Sequence, residues 1–284
     1  MIENAELAGL EPALQEKARC LFDRISEMDS MVVAFSGGVD SSLLCAVGHR
    51  VFGDRFLAVT VHSPVETPGD HQTAVALAGQ LGFRHLLVPF DDLANPQFTA
   101  NPPDRCYHCK LARFQQIQVI AEQARQEWGA QRVMIAEGSN ADDAFDYRPG
   151  ALAVAELGIR SPLAEAGLNK LEIRALSRAL GLPTWDRPSA PCLATRFPYG
   201  TPVTLKGLGQ VAQGEAFLRE QGFQPVRVRH YGQTARLEVP VERIEHLIAI
   251  RSDVMGFFKN IGFTYVVVDL AGYRMGSMNE VLKS

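Results

Sequence analysis

Three thiols stand where chemistry is easier to justify than packing: Cys106 and Cys109 in RCYHCK (105–110), and Cys192 in SAPCLATR (189–196). A C-x-x-C pair can be a redox couple, half of a zinc site, part of an iron–sulfur ligand set, or chemically idle. Zinc would need a closed set of ligands, and His108 is badly placed as one because it sits between the two thiols of a tight pair. A redox pair is favoured by the expected helix start at Cys106, which lowers a thiol pKa. Against it, the pair follows a long loop after the third expected strand, not the first strand-to-helix turn. The remaining cysteines, Cys20 and Cys45, fall within helical apolar patterns and read as small core residues.

VVAFSGGVDSSLL (32–44) reads as a buried strand, a double-glycine turn and a helix start near Asp40. Gly37 and Gly38 let backbone approach an anion, the helix-start amides carry partial positive charge, and Ser36, Ser41 and Ser42 add hydroxyl donors. This is a phosphate cradle. It lacks the Gly-Lys-Ser/Thr of Walker A and the G-x-G-x-x-G of dinucleotide folds.

EGSNADDAFDYRPG (137–150) follows another expected strand. Gly138 is placed as a site residue should be. Asp142, Asp143 and Asp146 gather carboxylates that suit Mg²⁺, or form a solvated loop with an Asx turn at Asn140. Beside a phosphate cradle, the reading for Asp143 is nucleotide or metal binding. Arg148 offsets phosphate charge or pairs with Asp146. His62, after LAVTV, is either a contact to base or ribose or a surface histidine. In RVRHYG, Arg227 and Arg229 share one strand face, with His230 on the other. That pair suits a phosphate or a solvated face. Glu215 and Glu238 are weaker candidates for metal or substrate contact.

The elements that must position these residues alternate. Strands are expected at 31–35, 56–61, 85–90 and 132–137, and helices at 4–28, 39–51, 71–81, 106–127 and 169–181. The pattern indicates a parallel α/β sheet with ligands beyond the strands' carboxyl ends. Residues 185–200 read as a proline-punctuated linker carrying Cys192. Residues 203–221 and 241–259 read as helices, with a hairpin around Gly232 and a strand at 263–270. The expected division is 1–184, a linker 185–200, and a small α+β domain 201–284. Net charge is −4 with 21% charged residues, which argues against a dedicated nucleic-acid binder. The absence of a long apolar run and of a signal-like start argues for a cytoplasmic protein with reduced thiols and no membrane partner.

Ser36-Gly37-Gly38-Val39-Asp40-Ser41 resembles the signature of the PP-loop ATP pyrophosphatases. With EGSNADDAFDYRPG and RPSAPCLATRFPYG (187–200), the chain resembles the LarE family along nearly its whole length. The resemblance implies a PP-loop parallel sheet with helices on both faces and a small α+β C-terminal domain. It implies an ATP-dependent sulfur transferase of nickel-pincer nucleotide cofactor synthesis, serving lactate racemase. Such an enzyme adenylates a carboxylate of pyridinium-3,5-dicarboxylate mononucleotide, releases pyrophosphate and AMP, and leaves a thiocarboxylate. Asp40 would help hold Mg²⁺, the loop's Ser and Gly groups would hold pyrophosphate, and Arg227 and Arg229 would hold the mononucleotide phosphate.

Cys192 matches the family's sulfur cysteine, which in the simplest members gives up its own sulfur and becomes dehydroalanine. This chain departs from that pattern through Cys106 and Cys109. It resembles the three-cysteine subset, in which Cys106, Cys109 and Cys192 hold a 4Fe–4S cluster and an external sulfide or sulfur donor serves repeated turnover. A homo-oligomer is implied, reported as hexameric. Competing readings are a PP-loop tRNA thiolase, which would need a basic groove, an ammonia-dependent amidotransferase-type synthetase, and an ATP-binding regulatory protein.

Overall fold

The computed structural model describes residues 7–145, 147–189 and 191–282. The chain divides into two compact units: Met1–Ser63, Gly69–Phe90 and Cys106–Ala190 form the first, and Pro64–Pro68, Asp91–Arg105 and Pro191–Ser284 the second.

The first unit is built on four parallel strands: β1 (Met31–Ala34), β2 (Phe56–His62), β3 (His85–Pro89) and β4 (Met134–Ala136), in the order β3-β2-β1-β4. Side chains alternate across a strand, and both faces of this sheet are covered, so the central strands are apolar apart from Thr60 and the terminal His62. Met31, Val33, Phe56 and Ala58 face a core shared with α1 (Pro12–Ser26), α2 (Val39–Phe52), α3 (Asp70–Leu81) and α8 (Lys170–Ala179). Val32, Leu57, Val59 and Val61 face the other core, against Phe114, Ile117 and Ala121 of the long α5 (Arg105–Trp128). Between α3 and α5 lies the single turn α4 (Pro96–Thr99). Between β4 and α8 lie α6 (Gly150–Glu156) and α7 (Pro162–Glu165). Strand order reverses between β1 and β4, which leaves a crevice beyond their carboxyl ends, the usual place for a ligand in this architecture.

In the second unit, α9 (Leu205–Glu220) precedes β5 (Arg227–Tyr231) and β6 (Thr234–Glu238). These strands form a hairpin that turns at Gly232, whose φ is +63°. The chain returns through α10 (Ile244–Ala249) and α11 (Arg251–Asn260) to β7 (Tyr265–Val268), parallel to β6. Phe223, Val228, Leu237 and Phe258 lie in its core.

Three local features differ from expectation. Within the expected helix 4–28, Leu7 is helical, the chain breaks at 8–11, and α1 restarts at Pro12, a helical position where a missing N–H costs nothing; residues 4–6 lie outside the described residues. The expected helix 241–259 is broken at Ile250, which leaves helical geometry at φ −95°, ψ 20° and caps both halves. The stretch 91–104 is not plain loop: Asp91 and Asn95 accept from the backbone N–H of Leu93 and Gln97, each at 3.0 Å, and start two short turns.

Residues 191–200, read as a linker, belong to the second unit. Asn101 explains this attachment: its side-chain amide donates to the carbonyls of Pro198 at 2.7 Å and Thr201 at 2.9 Å, and its own carbonyl accepts from Gly200 N–H at 2.8 Å. The second unit therefore recruits segments from three places in the sequence. No helix among the described residues is long and apolar enough to cross a membrane.

Candidate functional site

The loop after β1 turns at Gly37, whose φ of +71° favours glycine, and Arg187 Nη1 donates to the Gly37 carbonyl at 2.8 Å. Gly38 is the N-cap of α2, so the first-turn amides of α2 have no partner within their own helix. The turn is braced from inside. Ser36 Oγ accepts from Gly38 N–H at 3.3 Å and lies 3.1 Å from Ser41 Oγ. Ser42 Oγ donates to the Gly38 carbonyl at 2.7 Å and is fully buried, so its hydroxyl is committed to the helix, whereas Ser36 is exposed. Beneath the loop, Thr60 Oγ1 donates to the Phe35 carbonyl at 2.7 Å and meets His85 Nε2 at 2.8 Å, which makes that nitrogen the donor. Burial pushes the His85 pKa down, favouring this neutral state.

Gly138, after β4, forms the opposite wall. A Cβ there would stand 3.0 Å from Ser41 N and 3.2 Å from Asp40 Cβ, so only glycine lets the two loops meet. Next to it, Asn140 Nδ2 donates to Asp40 Oδ1 at 3.4 Å, and Lys170 Nζ is paired with Asp40 Oδ2. Asp143 accepts from Asn140 N–H at 3.0 Å and pairs with Arg148 at 2.7 Å. The expected Asx turn is present, Asn140 Oδ1 accepting from Asp142 N–H at 3.0 Å. The expected partner of Arg148, Asp146, lies outside the described residues. His62 ends β2, half-buried, with its ring 3.9 Å from that of His71.

Cys106 and Cys109 lie in the first turns of α5, three residues apart and so on one face. Cys106 is exposed and Cys109 half-buried. Gly150 packs against this turn, where a Cβ would stand 3.2 Å from the Cys106 carbonyl oxygen. One residue on, Lys110 reaches Glu137 at 2.8 Å, and Glu137 adjoins Gly138. A short path of contacts therefore runs from the paired thiols to the phosphate loop. As expected, Cys45 is buried in the core, and the half-buried Cys20 packs against it.

In the second unit, Cys192 is the N-cap of a short turn, Leu193–Arg196. Three arginines grip the carbonyls of that segment. Arg196 Nη1 donates to Pro191 O at 2.9 Å and Cys192 O at 3.1 Å, Arg105 Nη1 to Ala194 O at 2.9 Å, and Arg229 Nη1 to Thr195 O at 3.0 Å. Leu193 N–H donates to Val65 O at 2.7 Å. Arg196 and Arg229 are buried and paired with Glu215 and Glu238, both at 2.7 Å. The thiol is thus carried on a rigid backbone whose bonds do not involve its sulfur.

A model described as NAD synthase matches residues 15–109. An uncharacterized protein of Synechocystis sp. is 41% identical over 271 residues, 95% of this chain and 99% of the relative. The glutamine-hydrolyzing GMP synthase of Thermomicrobium roseum is 29% identical over 236 residues, 74% of this chain and 43% of the relative. Pyridinium-3,5-bisthiocarboxylic acid mononucleotide synthase of Lactiplantibacillus plantarum is 35% identical over 270 residues, 95% of this chain and 96% of the relative. The chain belongs to the LarE family. It is an ATP-dependent enzyme of the PP-loop type.

In this LarE-family chain, the expected strand alternation holds: Arg227 and Arg229 share a face, and His230 turns to the core, stacked on Phe197 at 4.8 Å. The two arginines differ, however. Arg229 commits its donors to Glu238, Thr195 and Ser277. Arg227 lies over the Tyr273 ring at 5.2 Å, and burial, then the Arg196 charge, lowers its pKa, a strain that an anion would relieve.

The Lys110–Glu137 pair, the Lys170–Asp40 pair and the arginine grip on residues 191–195 were not anticipated as contacts. Their sequence signal was that Asp40, Arg105, Lys110, Glu137, Arg196 and Arg229 lie inside the quoted motifs, without a pattern that names their partners. Glu137 is buried, which raises its pKa, but the Lys110 charge and hydrogen bonds from Lys110, Ser139 N–H and Ser161 outweigh that and leave it lowered. A depressed carboxylate contributes stability that is fully present above the ordinary carboxylate range and is lost as pH falls through its lowered pKa. Glu137→Gln is therefore expected to flatten the acid limb of stability against pH, read from urea midpoints.

Proposed function

We propose that this LarE-family chain makes pyridinium-3,5-bisthiocarboxylic acid mononucleotide, the compound named for its Lactiplantibacillus relative, by ATP-dependent sulfur transfer. The observation carrying this reading is that a glycine-walled phosphate loop and a rigidly held, chemically unused thiol, Cys192, occur in one chain. Glycine at 37 and 138 fits a triphosphate that backbone amides must approach. Asp40, with Asn140 beside it, offers the oxygen ligands that Mg²⁺ prefers.

The loop amides and Ser36 would bind the β- and γ-phosphates, Asp40 would hold Mg²⁺, which supplies charge neutralisation there, and His62 and Asp143 would face the nucleoside. Arg227 binds the mononucleotide phosphate, with Arg229 behind it. A substrate carboxylate attacks the α-phosphate, and pyrophosphate leaves. A sulfur nucleophile then replaces AMP, and a thiocarboxylate remains. Holding both reactants keeps the acyl-adenylate away from water.

Cys106, Cys109 and Cys192 have the thiolate chemistry to hold a 4Fe–4S cluster, which, when bound, supplies an iron open to an added sulfide. The reading includes a cytoplasmic homo-oligomer fed by an external sulfide or sulfur donor.

The test is anaerobic reconstitution followed by incubation with ATP, Mg²⁺, sulfide and the dicarboxylate mononucleotide. AMP, pyrophosphate and a thiocarboxylate mass are expected. An amide formed from ammonia in place of the thiocarboxylate defeats the sulfur assignment. Reconstituted wild type is expected to hold about four iron and four sulfide per chain, and Cys106→Ala to lose most of both. Equal iron in the two proteins refutes the ligand set.

A further inference from the structure

The phosphate loop of this chain lacks the lysine that a Walker A loop carries, yet ATP's terminal phosphates and the departing pyrophosphate demand a cation. Among the described residues, Arg187 and Lys170 reach the loop from elsewhere in the first unit. Arg187 holds the Gly37 carbonyl and lies 3.6 Å from Asp70, so it fixes the backbone. Lys170 is different: its Nζ is on the Asp40 carboxylate, the group expected to meet Mg²⁺.

The foot of Lys170 is rigid. It is the first residue of α8, behind a capping box made by Asn169 and Glu172, and Lys17 holds Glu172 at 2.8 Å. Its backbone N–H donates to Asp142 Oδ2 at 2.9 Å, on the turn that also carries Asn140 and Asp143. The Lys170 and Asp40 side chains remain 33% and 20% exposed, so solvent ions can reach the pair.

We propose that Lys170 and Asp40 form a charge-exchange pair: Lys170 neutralises Asp40 in the empty loop, then transfers to the β- and γ-phosphate oxygens when a divalent cation takes the carboxylate. A divalent ion on Asp40 repels an ammonium at contact distance, and the nearest new anion is the polyphosphate. Lys170 then touches the leaving pyrophosphate, in the role a Walker lysine fills from within its own loop. This rests on the ATP-pyrophosphatase half of the function proposed above and is independent of the carboxylate substrate.

Mn²⁺ binding followed by electron paramagnetic resonance, and calorimetry with inorganic pyrophosphate, test it without that substrate. In Lys170→Met, Mn²⁺ affinity without nucleotide is expected to rise about tenfold, because the competing cation is gone, while Mg²⁺-dependent pyrophosphate affinity falls by about tenfold or more. Lys170→Arg, which keeps the charge, is expected to move both values less. A residue that merely braces the loop would lower both affinities together, and that result, or an unchanged Mn²⁺ affinity, overturns the proposal.

Should Lys170→Met not fold, Asp40→Asn reads the same exchange from the other side. It releases Lys170 and is expected to bind pyrophosphate more tightly than wild type in metal-free buffer. No gain there overturns the proposal. If both probes respond as expected but no thiocarboxylate forms in the full assay, the substrate assignment alone has failed.

Discussion

Cys192→Ala is expected to reduce sulfur transfer by at least about 10³-fold while leaving substrate-dependent pyrophosphate release within a few-fold of wild type. The two halves of the reaction use different groups. Activation needs the loop at 36–42, whose braces are its own hydroxyls, Arg187 and Gly138, all within the first unit. Sulfur delivery needs a thiolate, and Cys192 sits in the second unit on a backbone held through carbonyls. Removing the sulfur takes away none of those bonds, so the fold is expected to survive, with an unchanged melting temperature as the control. Pyrophosphate release, with malachite green after pyrophosphatase, and thiocarboxylate, by mass spectrometry, separate the steps. Retained sulfur transfer in Cys192→Ala would sink the assignment of this thiol. The companion Cys106→Ala distinguishes two uses of Cys192. A single turnover with loss of H₂S from the chain's mass would mean that Cys192 gives up its own sulfur when the paired thiols are broken.

The sheet was legible because burial on both faces forces uninterrupted apolar runs, and MVVA and FLAVTV have no other good explanation. The phosphate loop was legible because Gly37 needs a positive φ and Gly38 caps a helix, and both demands are written as residue types. What escaped is long-range and polar. Lys170 and Asp40 are 130 residues apart, and Lys110 and Glu137 are 27 apart; neither lysine stands in a pattern that names its partner. The linker reading failed for a related reason. RPSAPCLATRFPYG has the prolines and small residues of an exposed connection, but its polar backbone groups are satisfied by Asn101, Arg105 and Val65, drawn from segments the chain passed through some ninety or more residues earlier. Arg229 shows the same limit. Alternation correctly put it beside Arg227, but only the fold shows that Glu238 already takes its guanidinium.

The largest stability effect is expected at Arg196. Its side chain is 2% exposed; Nε and Nη2 donate to the Glu215 carboxylate, and Nη1 is shared among Pro191 O, Cys192 O and Thr195 Oγ1. Arg196→Met replaces it with a chain of similar bulk that answers none of them. Glu215, fully buried, then keeps only Arg219 at 2.7 Å and the Val228 N–H at 3.3 Å. Breaking a buried pair by removing one partner costs roughly 3–5 kcal/mol, and the surviving Arg219 contact places this case in the lower half of that range. Urea unfolding of the full chain reads the loss. The double variant Arg196→Met with Glu215→Leu removes the stranded charge as well and is expected to recover most of it. If the double variant is no better than the single, the cost comes from packing and not from an uncompensated carboxylate. The double variant also isolates the functional role of the grip. With stability restored but Pro191 and Cys192 carbonyls released, Cys192 loses its fixed position, so sulfur transfer is expected to remain depressed while pyrophosphate release, which uses the phosphate loop and Arg227 and no thiol, is retained. Full recovery of sulfur transfer along with stability would show that the arginine serves the fold alone.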